Sequence, residues 1–416
     1  MKLAIPYGKT QFELILPDDA DVTLMEPHET PPLPDPQKSV QEALDSMDWS
    51  RFVGTRSAAI AINDKTRPVP HETLLPPLLE RLESIGIPRE RITLIIATGS
   101  HAPMRPDEFT LILPPAILAH YRVISHNADD VDHIVRLGLT RFRSVISVNE
   151  AFFTANLKIV VGNIEPHQFA GFSGGVKSAV IGLAGWDTIN HNHQMMTHPD
   201  AVLGRYDENP IRQDIEDMGK VVGVQVALNV VMNRQRQIVR VLCGDPRSVM
   251  RAAIPLVRQV YELPVDRPFD IVIASPGGHP KDLNIYQAQK ALGHAAQVSR
   301  EGGGIILVAA CPEGSGSKKY EDWLSALPPE HRSHAGVIAL FKAQGYRVGP
   351  HKAFQIARDS IHRRVIWVSD LPNPEFFLME SAPTLGSALT RLYPDCGKRI
   401  GVIPYANATI PRLNVE

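Results

Sequence analysis

The chain has 416 residues, of which 44% are hydrophobic and 21% charged, with a formal net charge of −2. That length is too great for one ordinary core, so two or three domains are expected, and the near-neutral balance excludes a strongly basic nucleic-acid binder or a membrane-surface protein. Cys243, Cys311 and Cys396 are odd in number and form no CxxC pair. This pattern excludes a zinc ribbon, a disulfide framework and a simple iron–sulfur motif, and the three cysteines read as small buried apolar residues.

The opening segment MKLAIPYGKT lacks an apolar signal core, and no apolar run reaches transmembrane length, so a cytoplasmic location is expected. An N-terminal hairpin is followed by EPHETPPLPDP (residues 26–36), an extended surface connection to the first helix. Strands are predicted at residues 57–62, 92–97, 157–161, 225–231, 271–274, 304–309 and 365–368. They are near-continuous in Val, Ile and Ala, as strands covered on both faces are. Amphipathic helices are predicted at 72–85, 283–299 and 321–327. The alternation argues for an α/β fold with mostly parallel sheets. The clearest seam is ELPVDRPFD (262–270), which places a boundary near Val265 between an N-terminal domain (1–265) and a C-terminal one (266–416). The closing segment from Arg399 is free to rejoin either.

Polar residues gather just after several strands, where open α/β sheets bind ligands. NDKTRPVP carries Asp64 and Arg67. Arg67 can grip a carboxylate bidentately, although the pair alone reads as a surface contact in a turn. ATGSHAPMRPDEF offers His101, which by itself is as readily a solvated loop residue. The densest segment is GNIEPHQFAGFSGGVKSAVIGLAGWDTINHNH, from Gly162 to His193. His167, His191, His193 and His198 are four of the chain's 16 histidines within 32 positions. GFSGGVKS is not a P-loop, because Val176 stands where glycine must precede the lysine and the strand ends ten residues upstream of Gly171. A glycine-rich loop cradling another phosphate remains open. His191 and His193, two apart, do not suit one helical face. The HNH tripeptide lacks a nuclease's acidic cluster, and no HExxH zinc signature occurs. In NIYQAQKAL, Tyr286 and Gln287 would share a helical face with Lys290, a spacing that equally describes a solvated polar stripe.

Together, DKTRP, ATGSH, EPHQFAGFSGGVKS, the following NHNH and YQAQK resemble, in order and spacing, the lactate racemase family that uses a nickel-pincer nucleotide. The resemblance runs from about Asp64 to Lys290. It implies two α/β domains with the site in the cleft between them. Lys177 would be joined covalently to the cofactor, and His193, sixteen residues on, would ligate nickel. His101 and His167 would transfer protons. Asp64, Arg67, Tyr286, Gln287 and Lys290 would line the substrate and cofactor site, and Gly171, Ser173, Gly174 and Gly175 would lie against the nucleotide.

The implied reaction is racemisation of a small 2-hydroxy acid, with hydride leaving C2 for the cofactor and returning to the opposite face while paired histidines act as acid and base. The implied partners are the substrate and cofactor-maturation enzymes, with no nucleic acid or membrane. Lactate or a slightly larger monocarboxylate is expected, since no extra arginine for a second carboxylate is evident. Trp367 and Phe376–Phe377 are candidates for an apolar wall, although Trp367 also suits a core. The alternatives are a sugar or sugar-acid epimerase with the same cofactor, a metallohydrolase with His101, His167 and His193 on one metal, and a non-catalytic nucleotide-binding module.

Overall fold

A computed structural model describes residues 2–414. The chain divides into two compact units, one of Glu29–Val260 and one that combines Met1–His28 with Tyr261–Glu416.

The Glu29–Val260 unit is built on a six-stranded sheet in the order Ile238–Gly244, Val226–Met232, Leu157–Asn163, Ala58–Asn63, Ile92–Ala97, Arg122–Ser125. Only the pair of Val226–Met232 with Ile238–Gly244 is antiparallel. Every residue of Ala58–Asn63 and of Val226–Met232 is buried, which accounts for their unbroken apolar sequence. The helix His71–Ser84 packs Leu74, Leu75, Leu78 and Leu82 into the same core as Ile60, Ile62, Leu94 and Ile96. Successive strands leave the central Ala58–Asn63 in opposite directions, to Ile92–Ala97 on one side and Leu157–Asn163 on the other. The sheet's topological switch point therefore lies between Ala58–Asn63 and Leu157–Asn163.

The other unit has an all-parallel six-stranded sheet in the order Glu380–Ala382, Arg364–Val368, Ser299–Val308, Phe269–Ala274, Arg399–Ile403, Asp21–Leu24. The N-terminal hairpin, Lys2–Tyr7 with Thr10–Ile15, adds Ile5 and Leu14 to a core shared with Ile273 and Ile306. The α/β class and the parallel sheets agree with the expectation from sequence. The span 1–265 for the first domain differs at its beginning, because Asp21–Leu24 takes the edge beside Arg399–Ile403. The closing segment stays in the same unit, with Ile410–Leu413 parallel to Glu262–Val265. Trp367 and Phe377 are core residues of this unit and not an apolar wall for a ligand. The three cysteines carry no disulfide, and burial pushes the Cys243 and Cys311 thiols up to about 12. No helix among the described residues is long and apolar enough to cross a membrane.

Candidate active site

A cavity opens at the carboxyl ends of Ala58–Asn63, Ile92–Ala97 and Leu157–Asn163, across the switch point of the Glu29–Val260 unit. Each strand delivers side chains to it. Ala58–Asn63 runs into Asn63, Asp64 and Arg67, Ile92–Ala97 into Thr98 and His101, and Leu157–Asn163 ends on Asn163. Ser173, Gly174, Lys177 and His193 complete the wall.

Asp64 is 3% exposed, and its Oδ2 accepts a hydrogen bond from His101 Nδ1 at 2.7 Å. Its Oδ1 accepts from the Thr66 amide at 3.1 Å and the Thr66 hydroxyl at 2.7 Å. Burial alone would raise the Asp64 pKa, but the bonds from His101 and Thr66 and the charge of Arg67 outweigh it and hold the carboxyl below its ordinary range. With the Nδ1 hydrogen donated to Asp64, the His101 Nε2 carries the lone pair and can act as a base. The Arg67 guanidinium, exposed at the rim, supplies a fixed positive charge.

The chain reaches Lys177 through a tight excursion. Pro166–His167 pairs antiparallel with Gly171–Phe172, and Gly171, Gly174 and Gly175 all have positive φ (72°, 79° and 56°). A Cβ at Gly174 would come within 2.4 Å of Ile164, and one at Gly175 within 2.7 Å of Met250. The close packing of this loop on its own protein therefore requires glycine here. Ser173 and Gly174 line the cavity; Gly171 and Gly175 are not among its lining residues.

Arg212, fully buried on the helix Pro210–Val222, clamps the loop by donating to the carbonyls of Phe172 (3.2 Å) and Gly174 (3.1 Å). That helix is well delimited, with the Asn209 side chain capping it, Pro210 at its first turn and Gly223 in the left-handed conformation at its end. Lys177 then opens a four-residue helix and is 4% exposed. Burial, with the charges of Arg67 and Arg212, holds its amine well below the usual lysine range, against a smaller opposing influence of Glu165. A buried amine held below its ordinary range and facing a cavity suits a nucleophile or an attachment point.

His193 and His191 lie on the helix Trp186–Gln194 on different faces: His191 is exposed, while His193 lines the cavity. Burial, followed by the charges of Lys177 and Arg67, pushes the His193 imidazole down to about 3. It is therefore neutral at physiological pH, the form in which imidazole binds metals. His167 is half-buried and not among the lining residues. It stands beside Phe169, whose ring is 4.6 Å from His167 and 4.9 Å from His193 between centroids. His167 Nδ1 accepts the Ala170 amide at 3.3 Å, the reverse of the His101 arrangement.

The other three predicted residues belong to the second unit. Tyr286, Gln287 and Lys290 are half-buried on the helix Ile285–Ala296, and Lys290 Nζ donates to Gln287 Oε1 at 2.8 Å. The sequence reading missed Asn63 and Asn163, whose side chains bond each other at 3.2 Å in the cavity wall. Both are the final residues of apolar strands, and that position was the available signal. It also missed Arg212, which no local pattern separates from a solvated helix face. Among the described residues, no group of three His, Cys, Asp or Glu side chains is placed to hold a metal, so the three-histidine metallohydrolase has no ready-made site.

These features define a class of protein: α/β chains that bind a small ligand at the switch point of a doubly wound sheet. The lactate racemase N-terminal domain model matches residues 7–204, and the lactate racemase C-terminal domain model matches residues 265–408. The lactate racemase of Lactiplantibacillus plantarum is 32% identical over 384 residues, covering 88% of this chain and 89% of that protein. The lactate racemase of Thermoanaerobacterium thermosaccharolyticum is 28% identical over 427 residues, covering 99% of each. The structure of the lactate racemase apoprotein from T. thermosaccharolyticum superposes with a TM-score of 0.89 at 27% identity, covering 99% of this chain and 100% of that one. The chain belongs to the lactate racemase family.

Proposed function

We propose that this protein racemises a small 2-hydroxy acid, lactate or a related monocarboxylate, using a nickel-pincer nucleotide attached to Lys177. The observation that carries the reading is the convergence in one cavity of the Asp64–His101 pair, Arg67, Lys177 and His193.

The donor set suits such a group. A buried amine held well below the usual lysine range is available for a covalent linkage, and a neutral imidazole can ligate a divalent metal such as nickel. Gly174, which can carry no side chain, brings backbone to the same cavity wall. When bound, the group would supply an acceptor for the hydride of C2. The remaining work falls to the chain's own residues. Arg67 would bind the substrate carboxylate, and its positive charge favours an anion over a neutral sugar. His101, oriented by Asp64, would take the hydroxyl proton at Nε2 and return it. His167 would serve the opposite enantiomer. Tyr286, Gln287 and Lys290 would contribute further substrate contacts.

The test is intact-protein mass spectrometry after co-expression with cofactor-maturation enzymes and nickel. A nucleotide-sized gain mapping to Lys177, absent from Lys177→Ala, is expected together with interconversion of D- and L-lactate. His101→Ala and His167→Ala should keep the adduct and lose turnover. An unmodified wild-type mass, with maturation verified on a control racemase, would overturn the assignment.

A further inference from the structure

Behind His193 lies a chain of buried polar groups that does not itself enter the cavity. His193 Nδ1 is 3.0 Å from Asn192 Oδ1. Asn192, on the same helix and 0% exposed, directs its Nδ2 at Asp214 Oδ2 (2.8 Å) and at the Ile211 carbonyl (3.1 Å). Asp214, also fully buried, accepts in addition from Thr140 Oγ1 at 2.5 Å and Ser144 Oγ at 2.7 Å.

The chemistry of these partners settles the orientation of the amide. The Ile211 carbonyl can only accept, and the Asp214 carboxylate is already the acceptor for Thr140 and Ser144, so the Asn192 NH2 must face them. The Asn192 oxygen is left toward His193, which must then supply the hydrogen from Nδ1. A neutral imidazole with its proton on Nδ1 carries its lone pair on Nε2.

We propose that Asn192 and Asp214 are positioning residues that lock His193 in the Nδ1–H tautomer, so that Nε2 is the nitrogen offered to a metal. The purpose assigned to the lock rests on the reading of His193 as the nickel ligand; the lock itself does not. Arg212 and Asp214 lie two residues apart on Pro210–Val222. One helix thus braces both the loop that leads to Lys177 and, through Asn192, the imidazole of His193. Partners of this kind commonly change metal affinity about 10- to 100-fold when removed.

The tautomer is read directly by nitrogen-15 NMR of the full chain labelled at histidine, before maturation, with the His193 signal identified by its loss in His193→Gln. Wild type should show the proton on Nδ1. Asn192→Leu, which removes the acceptor, should lose that preference, and Asp214→Asn, which leaves only the Ile211 carbonyl to orient the Asn192 amide, should weaken it. Thr140→Val removes a different bond to Asp214, so it should lower the melting temperature while leaving the tautomer as in wild type. After maturation, Asn192→Leu should keep the Lys177 adduct by mass and lose nickel to a chelator with about 10- to 100-fold weaker affinity.

A wild-type His193 protonated on Nε2, an Asn192→Leu variant that keeps the Nδ1 proton, or an equal change in Thr140→Val would overturn the proposal. Absence of the adduct in wild type would overturn the proposed function instead, and it is read by mass rather than by NMR.

Discussion

His101 and Asp64 form a hydrogen-bonded dyad across two strand ends, with a 2.7 Å bond from an imidazole 41% exposed to a carboxylate 3% exposed. The exposed partner can meet a substrate while the buried one fixes its ring. Asp64→Asn keeps the volume but can turn an NH2 toward Nδ1, which would move the ring proton to Nε2 and block the base. Turnover should fall about 10²- to 10⁴-fold, by analogy with the loss of an orienting carboxylate in hydrolase triads. Steady-state racemisation in both directions tests this, with circular dichroism reporting the fold. A variant within threefold of wild type would remove Asp64 from the mechanism.

Arg212 is bound on every side. Its Nε and Nη2 donate to Glu216 Oε1 at 3.0 and 2.6 Å, and Tyr206 gives the same oxygen a third bond at 2.9 Å. Arg212→Met would strand a buried carboxylate and release two loop carbonyls. A loss of about 3–5 kcal/mol is expected, measured by denaturant titration. Replacing Arg212 and Glu216 together by apolar residues should cost less than Arg212→Met alone, because no charge is then left unpaired.

Gly171 cannot carry a side chain. Its φ is +72°, and a Cβ there would stand 1.6 Å from the Arg205 carbonyl oxygen, a backbone atom that cannot swing aside. Gly171→Ala should therefore displace the hairpin that carries His167, destabilising the protein by about 3 kcal/mol or more. Gly223→Ala makes a useful comparison, since it has a similar φ (+76°) and nothing within 4 Å. Its cost should be confined to backbone strain, about 1 kcal/mol.

His71 gives stability a defined pH dependence. It is 1% exposed, with Nδ1 bonded to the Ile112 carbonyl at 3.1 Å and Nε2 without a partner. Burial lowers its pKa from 6.5 to about 4. Between those values the unfolded chain binds a proton that the native protein does not. Stability should accordingly fall as pH drops from 6.5 toward 4 and then level off, by about 3 kcal/mol in total from this group. His71→Leu should flatten that part of the profile in urea titrations at stepped pH; an unchanged slope would place its origin elsewhere.

What the sequence made legible follows from the range of the signals involved. Unbroken apolar runs such as IIA before Thr98 and IVV before Gly162 mark buried strands, and the polar residues that follow within a few positions mark the cavity. Asp64, Arg67, His101, Lys177 and His193 stood out because each sits at such a strand end or in the histidine- and glycine-rich segment, and their roles came from the resemblance to the lactate racemase family. Asn192, Arg212 and Asp214 did not. In PIRQDIEDMGK, the charged residues look like a solvated face, and only the tertiary fold buries Arg212, Asp214 and Glu216 together. The edge strand Asp21–Leu24 was hidden for a related reason: four half-exposed residues carry no sign of a partner so distant in the chain.

That edge strand has a consequence for how the protein is made. Arg399 Nη1 donates to Asp21 Oδ2 at 3.1 Å across 378 positions of sequence, and the whole Glu29–Val260 unit is threaded between the two partners. On the ribosome, residues 21–24 emerge long before the strand they dock against exists. The nested unit can reach its native state while the surrounding one is still waiting for its last strands, since domains generally fold as units during synthesis. The cavity carrying Lys177 and His193 would then be assembled on the nascent chain before the sheet of the other unit is complete.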